Sequence, residues 1–140
     1  MKYIMITGAS SGIGEETARL LARQEDVTTI LVARNEEKLK KLVNEFGGET
    51  KYLVYDLTDV WHIESCFIKC REWGIKLDGL IHCAGIGENM PIRLIQTEHI
   101  KKMYQIHPMA FIELGKYFSK RKYSNDGSSI VVMLSLIHIS

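Results

Sequence analysis

Residues 7–14, Thr-Gly-Ala-Ser-Ser-Gly-Ile-Gly, are the stretch of this chain best suited to chemistry. Gly8, Gly12 and Gly14 permit a tight turn and let the backbone come close to a bound group. They stand between a short apolar run, KYIMI at 2–6, and a helical pattern that starts near Ile13. A helix starting there points unpaired N–H groups and its positive dipole end at the space before the loop, which suits a pyrophosphate. No Gly-Lys-Ser/Thr closes the stretch, so it is not a P-loop, and its spacing is not that of GxGxxG. On the glycines alone, a plain strand-to-helix turn competes with a phosphate cradle.

The elements that must hold this loop read in strict alternation. After the strand at 2–6, a helix from about Ile13 is expected to turn Ile13, Ala18, Leu21 and Ala22 inward. VTTILVA (27–33) is rich in β-branched residues and reads as a second strand. Asn35 suits the N-cap of a helix carrying Leu39, Leu42, Val43 and Phe46, which Gly47 and Gly48 stop. KYLVYDL (51–57) is a third strand, and Thr58 or Asp59 opens a helix with Val60, Ile63, Phe67 and Cys70 on one stripe. DGLIHCAG (78–85) is a fourth strand. A loop with Gly85, Gly87 and Pro91 leads to a long helix at 97–118, with Ile100, Met103, Tyr104, His107, Phe111, Leu114 and Phe118 on one stripe. NDG (125–127) reads as a turn, and 129–133 as a fifth strand. Such alternation implies a parallel sheet covered on both faces, with ligands at the carboxyl ends of its strands.

Composition narrows the partners. The 140 residues suit one domain, and 46% are hydrophobic, enough for a core. The net charge of +1 offers no basic face for nucleic acid, and Lys120, Arg121 and Lys122 read as a solvated helix end. Neither nucleic acid nor a membrane is expected as a partner. The apolar run before Thr7 is too short for a signal core or a membrane span. Cys66, Cys70 and Cys83 form neither a disulfide framework nor a metal cluster; as buried free thiols they fit a cytoplasmic setting.

The motifs resemble, in order, those of the short-chain dehydrogenases/reductases. Residues 7–14 match TGxxxGIG in full. ARNEEKL (33–39) follows the second strand, DLTD (56–59) the third, and HCAG (82–85) takes the place of the family's NNAG. The resemblance implies an α/β fold: a Rossmann-type doubly wound parallel sheet, here incomplete, with five strands and the later elements missing. Residues 1–133 would be the N-terminal part of its NAD(P)-binding domain. The implied cofactor-binding residues are Gly8, Ser10, Ser11, Gly12, Ile13, Gly14, Arg34, Asp56, Leu57, Ala84 and Gly85. An acidic residue after the second strand would bond the ribose hydroxyls of NAD; Arg34 instead offers a fork of donors to a 2′-phosphate, so NADP is preferred to NAD. A second basic residue often precedes the middle glycine in NADP-preferring relatives, and here that position holds Ser11. Asp56 would accept from the adenine amino group, with Leu57 beside the ring; the competing reading of Asp56 is a turn or cap. His82 and Cys83 replace two asparagines whose bracing hydrogen bonds would be lost or remade.

The implied activity is hydride transfer between nicotinamide and a small carbonyl or alcohol substrate, by a full-length homodimer or homotetramer. In the family a Tyr and a neighbouring Lys supply the proton, a Ser orients the substrate oxygen and an Asn on the long helix holds a relay water. His107 takes that Asn position, either as a core histidine or as a proton relay, and Pro108 beside it should kink the helix. Ser135 falls at the serine position. Residues 134–140, however, back-translate as CTG TCT CTT ATA CAC ATC TCC, the end of a transposase-type sequencing adapter. The native sequence is therefore expected to end at Met133, with Ser135 catalytic in position only. No Tyr-x-x-x-Lys is reached, so the chain by itself is expected to be inactive and to leave the fifth strand as an open, aggregation-prone edge. The alternative is a non-catalytic dinucleotide-binding sensor or scaffold.

Overall fold

The computed structural model describes residues 1–83 and 92–133, apart from the side chains of Ile92, Ile106 and His107. Strands β1 (Lys2–Thr7), β2 (Val27–Ala33), β3 (Lys51–Val54), β4 (Leu77–His82) and β5 (Ser124–Val132) form one sheet in the order β3-β2-β1-β4-β5. Every pairing is parallel. Helices α1 (Gly12–Ala22) and α2 (Glu36–Phe46) cover one face; α3 (Glu64–Glu72) and α5 (Ala110–Phe118) cover the other. This is the parallel sheet covered on both faces that the alternation predicts, in the doubly wound, Rossmann-type arrangement that the resemblance implies.

The strands sort their side chains with period two. Met5, Ile30, Val32 and Leu80 enter the core beneath α3 and α5 with Ile63, Phe67 and Leu114, whereas Ile6, Leu31 and Ala33 enter the core beneath α1 and α2 with Ala18, Leu39 and Leu42. Burial on both faces explains why β1 and β2 read as runs of apolar and β-branched residues without polar alternation. Asn35 caps α2 as expected, accepting from the Lys38 N–H at 3.1 Å. Gly47 ends the helix with φ 67°.

Four expectations are corrected. Ile13 is 59% exposed, because the inward stripe of α1 runs through Gly14 and Ala18 and leaves Ile13 about a quarter turn away. β3 ends at Val54, where the chain turns at Asp56. The long helix is three pieces: α4 (Thr97–Tyr104), a π turn (Gln105–Met109) and α5. Pro108 lacks an N–H and crowds the preceding turn, and the wider π turn absorbs both effects. Its buried stripe shrinks to Ala110, Leu114 and Phe118, with Ile100 and Tyr104 exposed. Lastly, NDG lies inside β5 as a bulge: Leu77 pairs Ser124 while Gly79 pairs Ser129. Asn125 holds it there by donating to Asp78 Oδ1 at 3.0 Å, and Gly127 supplies φ 79°.

Candidate cofactor site

The strand order reverses between β1 and β4. From β1 the chain winds outward through β2 and β3, then returns to the other side of β1 as β4. Connections leave the two strands in opposite directions and open a crevice at their carboxyl ends. The glycine loop begins there. Gly8 has φ 68° and Gly12 φ 55°, conformations that side chains with a Cβ adopt at a cost. Gly14 is required for a different reason. A Cβ built on it would lie 2.0 Å from the Gly8 carbonyl oxygen and 2.7 Å from its carbon. The first turn of α1 is thus pressed against the loop. Ser11 stands at the N-cap in an extended conformation, and its side chain makes no cap hydrogen bond. Ser10 is half-buried and Ser11 exposed.

Under the loop, Thr7 ties the two central strands together. Thr7 and His82 are both fully buried and lie opposite each other in register. The Thr7 hydroxyl is 2.7 Å from His82 Nδ1 and accepts from the Cys83 N–H at 3.2 Å. The His82 ring stacks at 24° on Phe111 of α5, 6.3 Å between centroids. The bracing expected of two asparagines is therefore remade by a threonine and a histidine. Replacing the hydroxyl by a methyl, Thr7→Val, removes one partner from a buried polar ring and is expected to cost about 1–3 kcal/mol. A urea unfolding midpoint unchanged by that substitution would contradict it.

Arg34 and Asp56 meet at the ends of β2 and β3. Together with Val54, Tyr55 and Asp59 they line a cleft of about 350 Å³. Asp56 does make the turn that was the competing reading: Oδ1 accepts from the Thr58 N–H at 3.0 Å and the Thr58 hydroxyl at 2.8 Å. Its Oδ2 has no hydrogen-bond partner among the described residues. Partial burial pushes this carboxyl up, but the Thr58 bonds and the Arg34 charge outweigh it and hold the pKa below the ordinary value. The Leu57 side chain is buried in the core with Val60 and Ile63, so its backbone is what remains for a ligand.

Ala84, Gly85 and Ser135 lie outside the described residues, as does the His107 side chain. Cys66 and Cys70 are buried, and burial pushes both thiols up to about 12, which makes them inert. Cys83 is half-buried. Among the described residues no His, Cys, Asp or Glu cluster could hold a metal ion, and no helix is long and apolar enough to cross a membrane. One feature of the site has no local sequence signal. Glu15, in the first turn of α1, is paired across the helices with Lys38 in the first turn of α2, at 2.9 Å.

Comparison with known proteins agrees with this geometry. The family model described as short chain dehydrogenase matches residues 2–138. The uncharacterized oxidoreductase Lin0452 of Listeria innocua is 36% identical over 110 residues, 76% of this chain and 44% of that protein. The benzil reductase ((S)-benzoin forming) IRC24 of Saccharomyces cerevisiae is 35% identical over 109 residues, 74% of this chain and 41% of that protein. The chain therefore spans less than half the length of these two relatives. A short chain dehydrogenase from Shigella flexneri, solved in complex with NADP, superimposes with a TM-score of 0.82 at 28% identity, over 94% of this chain and 57% of that one. By its motifs, its sheet and these matches, the chain belongs to the short-chain dehydrogenase family.

Proposed function

We propose that residues 1–133 form the cofactor-binding half of an NADP(H)-dependent short-chain dehydrogenase/reductase acting on a small carbonyl or alcohol. The observation that carries this reading is the contact of Gly14 with Gly8 at the crevice between β1 and β4. That contact seats the first turn of α1 directly against the loop, so its unpaired N–H groups open at the crevice, which fits a phosphate-bearing cofactor. When bound, the nicotinamide supplies the hydride chemistry. The chain's own residues do the holding. The N–H groups of Gly12, Ile13 and Gly14 at the start of α1 would bind the pyrophosphate, with Gly8, Ser10 and Ser11 shaping the loop. Arg34 would fork onto a 2′-phosphate, and Asp56 Oδ2 would accept from the adenine amino group beside the Leu57 backbone. Ala84 and Gly85 would pass the ribose, and Ser135, by its position in the sequence, would take the family's substrate-orienting place. The NADP complex of the Shigella flexneri relative supports the choice of cofactor class.

Thermal unfolding tests the reading. A ligand present at a hundred times its Kd stabilises by about 2.7 kcal/mol. For a domain of this size that is a rise of roughly 10 °C in Tm. NADPH is expected to give such a rise at a concentration where NADH gives clearly less. Equal rises would overturn the preference for NADP(H), and no rise with either would overturn dinucleotide binding.

A further inference from the structure

The Glu15–Lys38 pair joins two helix starts that both face the cofactor edge of the sheet. α1 follows β1 and α2 follows β2, so both first turns lie at the carboxyl edge of the parallel sheet, where Arg34 directly follows β2. Lys38 Nζ sits 2.9 Å from Glu15 Oε1. Its main chain is fixed by the Asn35 cap, while its side chain remains 40% exposed on a flexible stem. Glu15 is the less exposed partner, and its other carboxylate oxygen accepts from Arg19 Nη2 at 3.1 Å and Nε at 3.3 Å. The Lys38 bond, with Arg19, holds the Glu15 carboxyl below its ordinary pKa, so the group is a standing anion.

This arrangement is asymmetric. If Lys38 moved away, Glu15 would keep Arg19, so departure leaves no bare carboxylate. A 2′-phosphate carries up to two negative charges near neutral pH and calls for more than one cation. Arg34 already directs part of its field at Asp56, and the loop position that could carry a second cation is Ser11. Lys38 lies four residues beyond Arg34, in the first turn of α2 just after the Asn35 cap, and is the basic side chain of that turn.

We propose that Lys38 is the second cation for a 2′-phosphate, and that Glu15 is a built-in competitor for it: on binding, the ammonium exchanges the carboxylate for the phosphate. The proposal rests on the NADP(H) reading above and adds to it a named specificity pair. No proton need move, since both anions meet an ammonium that stays charged. Glu15 thereby lowers the affinity for phosphorylated cofactor while leaving the unphosphorylated one untouched.

The test compares adenosine 2′,5′-bisphosphate with 5′-AMP by titration calorimetry on the wild type, Arg34→Ala, Lys38→Met, Lys38→Arg and Glu15→Gln. Lys38→Met is expected to weaken the bisphosphate about tenfold or more, the loss of a charge-assisted bond, and to leave 5′-AMP unchanged. Lys38→Arg should restore most of the loss. Glu15→Gln should tighten the bisphosphate alone, by about two- to fivefold, the scale of an exposed ion pair. If Arg34→Ala lowers the ratio of the two affinities and Lys38→Met does not, this proposal fails and the NADP(H) reading stands. If neither changes the ratio, the NADP(H) reading itself fails. Equal weakening of both probes by Lys38→Met would assign the pair a purely structural role, and weaker binding in Glu15→Gln would overturn the competition. Unchanged far-ultraviolet circular dichroism in each variant shows that folding is intact.

Discussion

Gly14→Ala is expected to abolish NADPH binding and to cost the fold about 3 kcal/mol, the upper end of ordinary overpacking. The reason is positional. The new methyl would meet the Gly8 carbonyl group at 2.0 and 2.7 Å, and the Cys83 Cβ at 3.2 Å. A flexible side chain could give way, but a carbonyl in the backbone of the phosphate loop cannot do so without moving the loop. Relief therefore comes only from shifting α1 away from β1, which takes its N–H groups out of place. Gly12→Ala makes the contrast. That position has φ 55° and nothing within 4 Å of a built Cβ, so the cost is backbone strain of about 1–2 kcal/mol. Urea midpoints and the NADPH-dependent Tm rise, measured on both variants, separate crowding from strain. A Gly14→Ala protein that still gained stability from NADPH would show that the loop tolerates the displacement.

The parts of the fold legible in the sequence are those set by local chemistry. β-branched runs, the Asn35 cap, the Gly47 stop and the spacing of Leu39 and Leu42 each act within a few residues, and each lies where expected. The glycine loop was legible for the same reason, since positive φ at Gly8 and Gly12 is a property of the residue itself. What escaped depends on partners distant in the chain. Ile13 looks inward on periodicity, but the helix is docked through Gly14, which carries no side chain to announce it. NDG reads as a turn until Asp78, far upstream, supplies the hydrogen bond that keeps it in β5. His82 looks like a lost asparagine until Thr7 is seen beside it. The Glu15–Lys38 pair follows only from two helices lying side by side. At Asp56 the turn, which was the competing reading, engages one oxygen only, so the proposed adenine contact at Oδ2 is compatible with it.

Phe67→Ala is expected to lower stability by about 3–5 kcal/mol, the range for deleting a buried aromatic ring. Phe67 is 0% exposed and fills the layer between the sheet and the helices α3 and α5. Its ring tilts against Tyr117 at 6.0 Å and Tyr123 at 5.5 Å. Tyr123 in turn donates to Glu64 on α3 at 2.7 Å, so the cavity would loosen a polar clasp as well as a hydrophobic one. The glycine loop and Lys38 belong to the opposite layer, whose core of Ile6, Leu31, Ala18 and Leu39 makes up a separate cluster. The sheet between them is common to both, but its two faces are packed by different side chains. The NADPH-dependent rise in Tm should therefore survive Phe67→Ala from a lower starting value, the reverse of the Gly14→Ala result. Phe67→Leu, which leaves a smaller cavity, gives a less destabilised background for the same comparison. Were the NADPH rise to vanish in both Phe67 variants while they remain folded, the two layers would be energetically coupled through the sheet. Thr7, His82 and Phe111, which connect the loop strand to α5, would then be the route to examine.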